Sequence, residues 1–263
     1  MDYNVLLFKK SDCYKAKRKM TPKGIIVHST GVNNPNLKRY VGPDDGRLGK
    51  NPYGNHWNQP GVSSCVHAFI GKDKNGDICT YQTLPLNYCA WGVGKGSKGS
   101  YNYSPAYLQF EILEDALTDK KYFDKVMKEA QELCAKWCKE FSIPINKVIS
   151  HKEAHEKGYG SNHRDCDHWL KKFGRDMDWF RSETSKKLGS VKNEIAVGDK
   201  IKIKDGVTTY YDGKKLPSWV KKATLYARQK QTKNGVKVWL VSTNKTLPIY
   251  TGRLRVEDVQ KVK

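Results

Sequence analysis

Apolar residues recur every three or four positions through Phe123, Val126, Met127, Ala130, Leu133, Cys134, Trp137, Cys138 and Phe141. That spacing lines one face of a helix and predicts a long amphipathic helix over about 120–141. Cys134 and Cys138 sit on the same face, which makes them buried thiols rather than ligands. Around the helix the period shortens. Residues 23–28 form a short β-rich run that ends in His28. Residues 65–70 and 78–82 flank a turn-forming cluster containing Asn75-Gly76 and predict a hairpin. Residues 107–113 and 145–150 read as further strands, the second followed at once by His151. A last helix is expected from about 167 to 187. Strands interleaved with helices predict an α/β (α+β) mixed sheet flanked by helices.

The pattern changes after residue 190. Residues 199–204 alternate strictly, as a half-exposed strand does, and 236–241 make a second strand. Asp205-Gly206, Asp212-Gly213 and Asn234-Gly235 supply turns at hairpin spacing. Several short strands in so little chain predict a small all-β barrel. The expected division is a first domain over 1–187, a linker over 188–196 and the barrel over 197–263.

Charge bears on partners. The 263 residues carry 48 Lys and Arg against 27 Asp and Glu, a formal net charge of +21. Of these, 17 basic and only 6 acidic residues fall within 191–263. Such a balance implies a polyanionic partner: nucleic acid, an anionic membrane surface or an anionic wall polymer. No apolar run approaches the roughly 20 residues of a spanning helix, so no membrane insertion is expected. The seven cysteines include no Cys-x-x-Cys pair, so neither a zinc ribbon nor a disulfide framework is expected. The opening residues do not read as a secretory signal, because the apolar stretch over 5–8 is too short. The chain is therefore expected to be made and first kept in a reducing cytoplasm.

All seven histidines and all seven cysteines precede residue 190, so chemistry that needs them belongs to the first domain. His28 and His151 each end a predicted strand, and side chains at neighbouring strand ends converge at one sheet edge. Asp165 follows within 161–168. Two imidazoles and a carboxylate form a catalytic zinc set with a fourth position open to water. A lone strand-end histidine is more often a packed or surface residue, so the surrounding residues decide.

Those residues are 22–30 (Pro-Lys-Gly-Ile-Ile-Val-His-Ser-Thr), 34–40 (Asn-Pro-Asn-Leu-Lys-Arg-Tyr), 66–71, Ala90-Trp91, 110–115, 150–153, 161–165 and His168-Trp169. In that order they resemble the zinc N-acetylmuramoyl-L-alanine amidases related to peptidoglycan recognition proteins, and among them phage endolysins of Gram-positive hosts. The resemblance covers about residues 10–185. It implies Zn2+ held by His28, His151 and a third ligand that in the family is Asp or Cys, with Lys or His two positions before it. Asp165 with His163 fits that rule; Cys166 is the alternative, since the gap from His151 is longer than the common spacing. The resemblance also implies Glu111 as the catalytic carboxylate and His163 as the oxyanion donor. Many relatives carry Trp-His where Trp91 is here followed by Gly92, so any role of that histidine is absent.

The remaining candidates have plainer readings. Glu114 and Asp115 are expected to be solvated strand-end charges. His67 lines the groove or sits in the core. His56, with Trp57, contacts glycan or caps a loop. His155 and His168 support the site or cap helices. Residues 210–219 resemble, more loosely, the Src-homology-3-like modules that anchor lysins to walls. Lys and Arg interleaved with Tyr210, Tyr211, Trp219, Tyr226 and Trp239 suit an anionic glycan, and would equally suit single-stranded nucleic acid. Trp239, between Val238 and Leu240, reads as core. The resulting expectation is a monomeric peptidoglycan hydrolase whose partners are peptidoglycan and an anionic wall polymer rather than nucleic acid. It would remain in the host bacterial cytoplasm until released to the wall. A non-catalytic wall binder of the same fold and a zinc endopeptidase of the same wall are the alternatives.

Overall fold

The computed structural model describes residues 1–192, 195–247 and 249–262. The chain divides into two compact units, Met1–Leu188 and Gly189–Lys263.

In the first unit the elements follow the order β1 (Tyr3–Val5), α1 (Asp12–Ala16), β2 (Ile25–Ser29), β3 (Ala68–Lys72), β4 (Ile78–Gln82), β5 (Leu108–Ile112), α2 (Lys120–Glu140), β6 (Val148–Ser150), α3 (His151–Glu156), α4 (Asp167–Lys172) and α5 (Met177–Lys192). The six strands lie in the order β1-β4-β3-β5-β2-β6. The β3–β4 hairpin is antiparallel and every other pairing is parallel. The inner strands β2, β3 and β5 are largely buried on both faces, as such sheets require. Alternation assigns the faces. Ile25, Val27, Ala68, Ile70, Leu108, Phe110 and Ile112 pack with the apolar stripe of α2 into one large core. Phe69 joins Leu37, Tyr40 and Tyr81 on the other side. His28 and Glu111 are register partners on β2 and β5, one residue out of phase with that core, so both face away from α2.

Local chemistry sets the ends. The Asp119 carboxylate accepts from the Lys121 and Tyr122 amides and starts α2. Cys134 and Cys138 are buried on its inner face. Ser150 and Glu153 form a capping box at α3, which makes His151 its first residue.

The strand expected over 145–150 begins as a 3-10 turn, Ile145–Lys147, and becomes extended only at Val148. The helix expected over 167–187 is two helices. Gly174 takes a left-handed φ of 63° after α4 and α5 restarts at Met177. Helix α5 continues to Lys192, into the segment expected as linker from 188; residues 193–194 of that segment lie outside the described residues. The cysteines also depart from expectation. Cys13 and Cys65, 52 residues apart, are joined in a disulfide, while Cys79, Cys89, Cys134, Cys138 and Cys166 are buried free thiols. The pair meets because α1 packs with Cys65, Leu84 and Ala90 in one small cluster, a contact that no local spacing announces.

In the second unit β7 (Lys200–Ile203), α6 (Ser218–Lys222), β8 (Leu225–Lys233), β9 (Val236–Ser242), β10 (Gly252–Arg255) and β11 (Val259–Lys261) follow in order. The strands make an antiparallel sheet, β10-β9-β8-β7-β11. Ile201 and Ile203 point into a core with Leu225, Trp239, Val241 and Leu254, while the alternating Lys200 and Lys202 stay exposed. Asn234 and Gly235 both adopt left-handed φ at the β8–β9 turn. The outer strands β10 and β11 are not paired with one another among the described residues.

No helix of the described residues is long and apolar enough to cross a membrane.

Candidate metal and catalytic centre

Parallel β2, β5 and β6 end at one edge of the sheet, and the site forms there. His28 stands near the end of β2, Glu111 is its neighbour on β5, and His151 opens α3 directly after β6. The segment after α3 folds back so that the Asp165 carbonyl accepts from the His151 amide at 3.1 Å. This backbone bond brings the Asp165 side chain to the two imidazoles.

The three polar side chains converge. The His28 and His151 Nδ1 atoms lie 3.1 Å apart. Asp165 Oδ2 is 3.1 Å from His28 Nδ1, and Oδ1 is 3.4 Å from His151 Nδ1. One ligand atom from each residue can be chosen so that all lie within 4.8 Å of one another. Burial alone would raise the Asp165 carboxyl, but the His151 and His28 imidazoles beside it hold it well below the usual carboxylate range. Burial pushes His151 the other way for an imidazole, below its ordinary value, and so toward the neutral ring. Two imidazoles and a carboxylate facing one point are the donor set of a tetrahedral zinc site with a free position. The residues present fit that ion.

Cys166 does not share this geometry. It is wholly buried in the large core, with its Sγ 3.9 Å from Met177 Sδ. Glu111 opens onto the same cleft as the three residues, and its Oε2 is buried without a hydrogen-bond partner. Burial, then the charges of Asp165 and Glu114, push its carboxyl well above the ordinary value. Both influences favour its protonated form more than in an ordinary surface carboxyl. The His163 ring lies 4.6 Å from the His151 ring, and its Nδ1 is 3.8 Å from Asp165 Oδ1, beyond hydrogen-bond reach. With 62% of its side chain exposed, His163 is free to turn toward a bound substrate.

A cleft of about 610 Å³ holds these five residues. Its rim adds Thr30, Arg39, Tyr40 and Arg164, which lie in the quoted motifs without an assigned role, then Trp57, and Ser64, which the sequence reading did not single out. Tyr40 stacks on Phe69 and meets Trp57 edge-on, so an aromatic wall lines the same cleft as His28, His151 and Asp165. Arg39 and Tyr40 close the 34–40 motif, which was the available signal for that wall.

Several plainer readings are settled by burial. Glu114 is a correction: it is 2% exposed rather than solvated, and it pairs with His168 Nε2 at 3.0 Å. That hydrogen bond raises the His168 pKa. Asp115 accepts from the Leu117 and Asp119 amides ahead of α2. His67 is core: Nδ1 accepts from the Gln109 amide and Nε2 donates to the Tyr88 carbonyl. Burial lowers it to about 4. His155 contacts the Gly160 carbonyl, and His56 packs over Gly42. Trp239 is buried in the second unit and Trp219 is exposed.

Comparison with known proteins identifies the family and the fold. A family model described as N-acetylmuramoyl-L-alanine amidase (Amidase_2) matches residues 18–168. The N-acetylmuramoyl-L-alanine amidase CwlH of Bacillus subtilis (strain 168) is 32% identical over 118 residues, covering 41% of this chain and 44% of the relative. The N-acetylmuramoyl-L-alanine amidase CwlA of a Bacillus species is 30% identical over 112 residues, covering 43% of this chain and 40% of the relative. The matched region thus spans less than half the length of either relative. The solution structure of the PlyG catalytic domain superposes with a TM-score of 0.51 at 19% identity, over 72% of this chain and 96% of that domain. At that identity the likeness is one of fold.

Proposed function

The chain belongs to the N-acetylmuramoyl-L-alanine amidase family, and from that premise we propose that it hydrolyses the amide between N-acetylmuramic acid and L-alanine of peptidoglycan. The observation that carries the reading is the convergence of His28, His151 and Asp165 in one cleft with Glu111. His28, His151 and Asp165 would hold a zinc ion. Bound there, zinc supplies a water of lowered pKa and polarises the scissile carbonyl.

The chain's own groups do the rest. Glu111, whose Oε2 has no other partner, takes the proton from the attacking water and returns it to the leaving amine. Its raised pKa suits both halves of that transfer. His163 swings its exposed imidazole onto the carbonyl oxygen and donates a hydrogen bond as negative charge grows there. Tyr40, Trp57 and Arg39 orient the substrate along the aromatic wall. A non-catalytic wall binder would need no third ligand, whereas here Asp165 is turned onto both histidines.

The second unit reads as a wall anchor of the Src-homology-3-like kind. Support comes from its strand order, from the 3-10 turn Val256–Asp258 between the last two strands and from its exposed Trp219 and Tyr250. Its excess of basic residues suits an anionic wall polymer. The whole then reads as a monomeric phage endolysin of a Gram-positive host, held in the host cytoplasm until its release to the wall.

Mass spectrometry of digested wall tests the bond. New L-alanine amino termini with intact glycan are the expected products. Cleavage within the cross-bridge would make the protein an endopeptidase, and no cleavage would make it a binder.

A further inference from the structure

The two histidines of the ligand set are held in different ways. His28 Nε2 is buried with no partner. His151 Nε2 lies 3.1 Å from Ser161 Oγ, and that hydroxyl lies 3.2 Å from the Val93 carbonyl. A serine hydroxyl has one proton to give. Given to the carbonyl, it leaves an oxygen lone pair facing the imidazole, and His151 must then carry its own proton on Nε2. Its Nδ1, which faces His28 and Asp165, is bare in that state. We propose that Ser161, anchored by the Val93 carbonyl, is the positioning residue that fixes the His151 tautomer for metal binding.

The surroundings are built to hold that serine still. The Ser161 amide also donates to the Val93 carbonyl, at 2.9 Å. Val93 is wholly buried, and its own amide donates to Asn102 Oδ1, which accepts from Gln109 Nε2 on β5. The chain ahead of Ser161 is zipped to the same loop by Lys98 to Gly158 and Tyr101 to Tyr159 backbone bonds. Gly94 stands against the hydroxyl: a Cβ there would fall 2.7 Å from Ser161 Oγ, in a backbone of φ +68°. Glycine at 94 therefore leaves room for the hydroxyl in line with the imidazole. A connected path runs from the sheet through Gln109, Asn102, Val93 and Ser161 to His151 Nε2, the ring nitrogen opposite the one that faces His28 and Asp165. Partners of this kind orient ligating histidines, and their loss typically weakens metal affinity about 10–100-fold.

The inference rests on the zinc reading above, and two measurements keep the two apart. Histidine-selective nitrogen-15 NMR of the metal-free protein at pH 8 reads the tautomer of His151 directly. The expected result is a proton on Nε2; a proton on Nδ1 overturns the inference whatever the fate of the amidase reading. Zinc affinity, measured by competition with a chromogenic chelator, is then compared between the native chain and Ser161→Ala. A weakening of about 10–100-fold is expected, with unchanged circular dichroism of the metal-free variant. Equal affinity in a folded Ser161→Ala protein overturns the positioning role. A native chain that binds no zinc sinks the amidase mechanism instead, while the tautomer still decides the role of Ser161.

Discussion

The two units solve the same packing problem with opposite placements of polarity. The first buries His28, His67, Gln109, Glu114 and His151 inside or at the edge of a largely parallel sheet. In the second, Ser242 is the one buried polar side chain among the described residues, and the charges stand outside. Buried polar groups cost free energy unless partnered, so a fold keeps them where partners are supplied or where chemistry uses them. His67 belongs to the first case and Glu111 Oε2 to the second. The second unit has no histidine or cysteine and gathers no comparable cluster among its described residues. What it offers is an excess of basic residues and the exposed rings of Trp219 and Tyr250. On the function proposed above, catalysis belongs to the first sheet and adhesion to the second.

Substitution in the first unit is the severest test of that assignment. His28→Ala, His151→Ala or Asp165→Ala is expected to lose bound zinc and wall lysis together, whereas Cys166→Ser keeps its metal. Elemental analysis beside a turbidity assay decides it, and full lysis by a metal-free variant would remove the mechanism. Glu111→Gln comes next: zinc content and fold are retained while turnover falls about 10²–10⁴-fold. Near-native turnover would move the base elsewhere in the cleft.

His67 sharpens the comparison through pH. Its folded pKa of about 4 lies below the ordinary histidine value, so the unfolded chain binds more protons between about 4 and 6.5. Its contribution to stability is complete above that window and falls as the pH drops through it, by about 3 kcal/mol. Denaturant unfolding of His67→Asn should show a flatter acid limb than the native chain, whatever its stability at pH 7. A parallel acid limb would mean that carboxylates alone carry the slope. The second unit has no histidine and lacks this contribution.

The smallest stability effect is expected at the surface of the second unit. Trp219→Ala should change its melting by no more than about 0.5 kcal/mol yet weaken retention on purified walls. Retention of the native protein should fall as salt rises, since exposed charges are screened over about 8–10 Å near physiological ionic strength. A chain of residues 1–190 should still cut soluble muropeptide. Wall retention indifferent to both salt and Trp219 would take the anchoring role from this unit.

Much of this division was readable before any coordinates. The three-to-four spacing over 123–141 located α2, because a buried helix face must repeat with the helical turn. The family resemblance pointed to Glu111, and the structure sets it beside His28, out of phase with the apolar Phe110 and Ile112. Adjacent residues were harder. Asp165 and Cys166 are equally near His151 in sequence, and only the fold-back of the chain onto the His151 amide decides which one faces it. The Cys13–Cys65 link, the break at Gly174 and the burial of Glu114 depend on contacts between distant segments. So does Ser161, whose partner Val93 lies 68 residues away.

That dependence on distant segments has a thermodynamic consequence at the ligand set itself. His28 and Asp165 are 137 residues apart and reach each other only when β2, β6 and α3 are all in place. An unfolded chain offers no such set, so an ion held there adds its binding free energy to the folded state alone. The gain grows as the logarithm of free ion, about 2.7 kcal/mol at a hundredfold excess over the dissociation constant. The melting temperature of the first unit should climb with each decade of free zinc. The melting of the second unit, which lacks ligands of this kind, stays where it was. A single calorimetric titration then separates the two transitions and counts which one the metal moves.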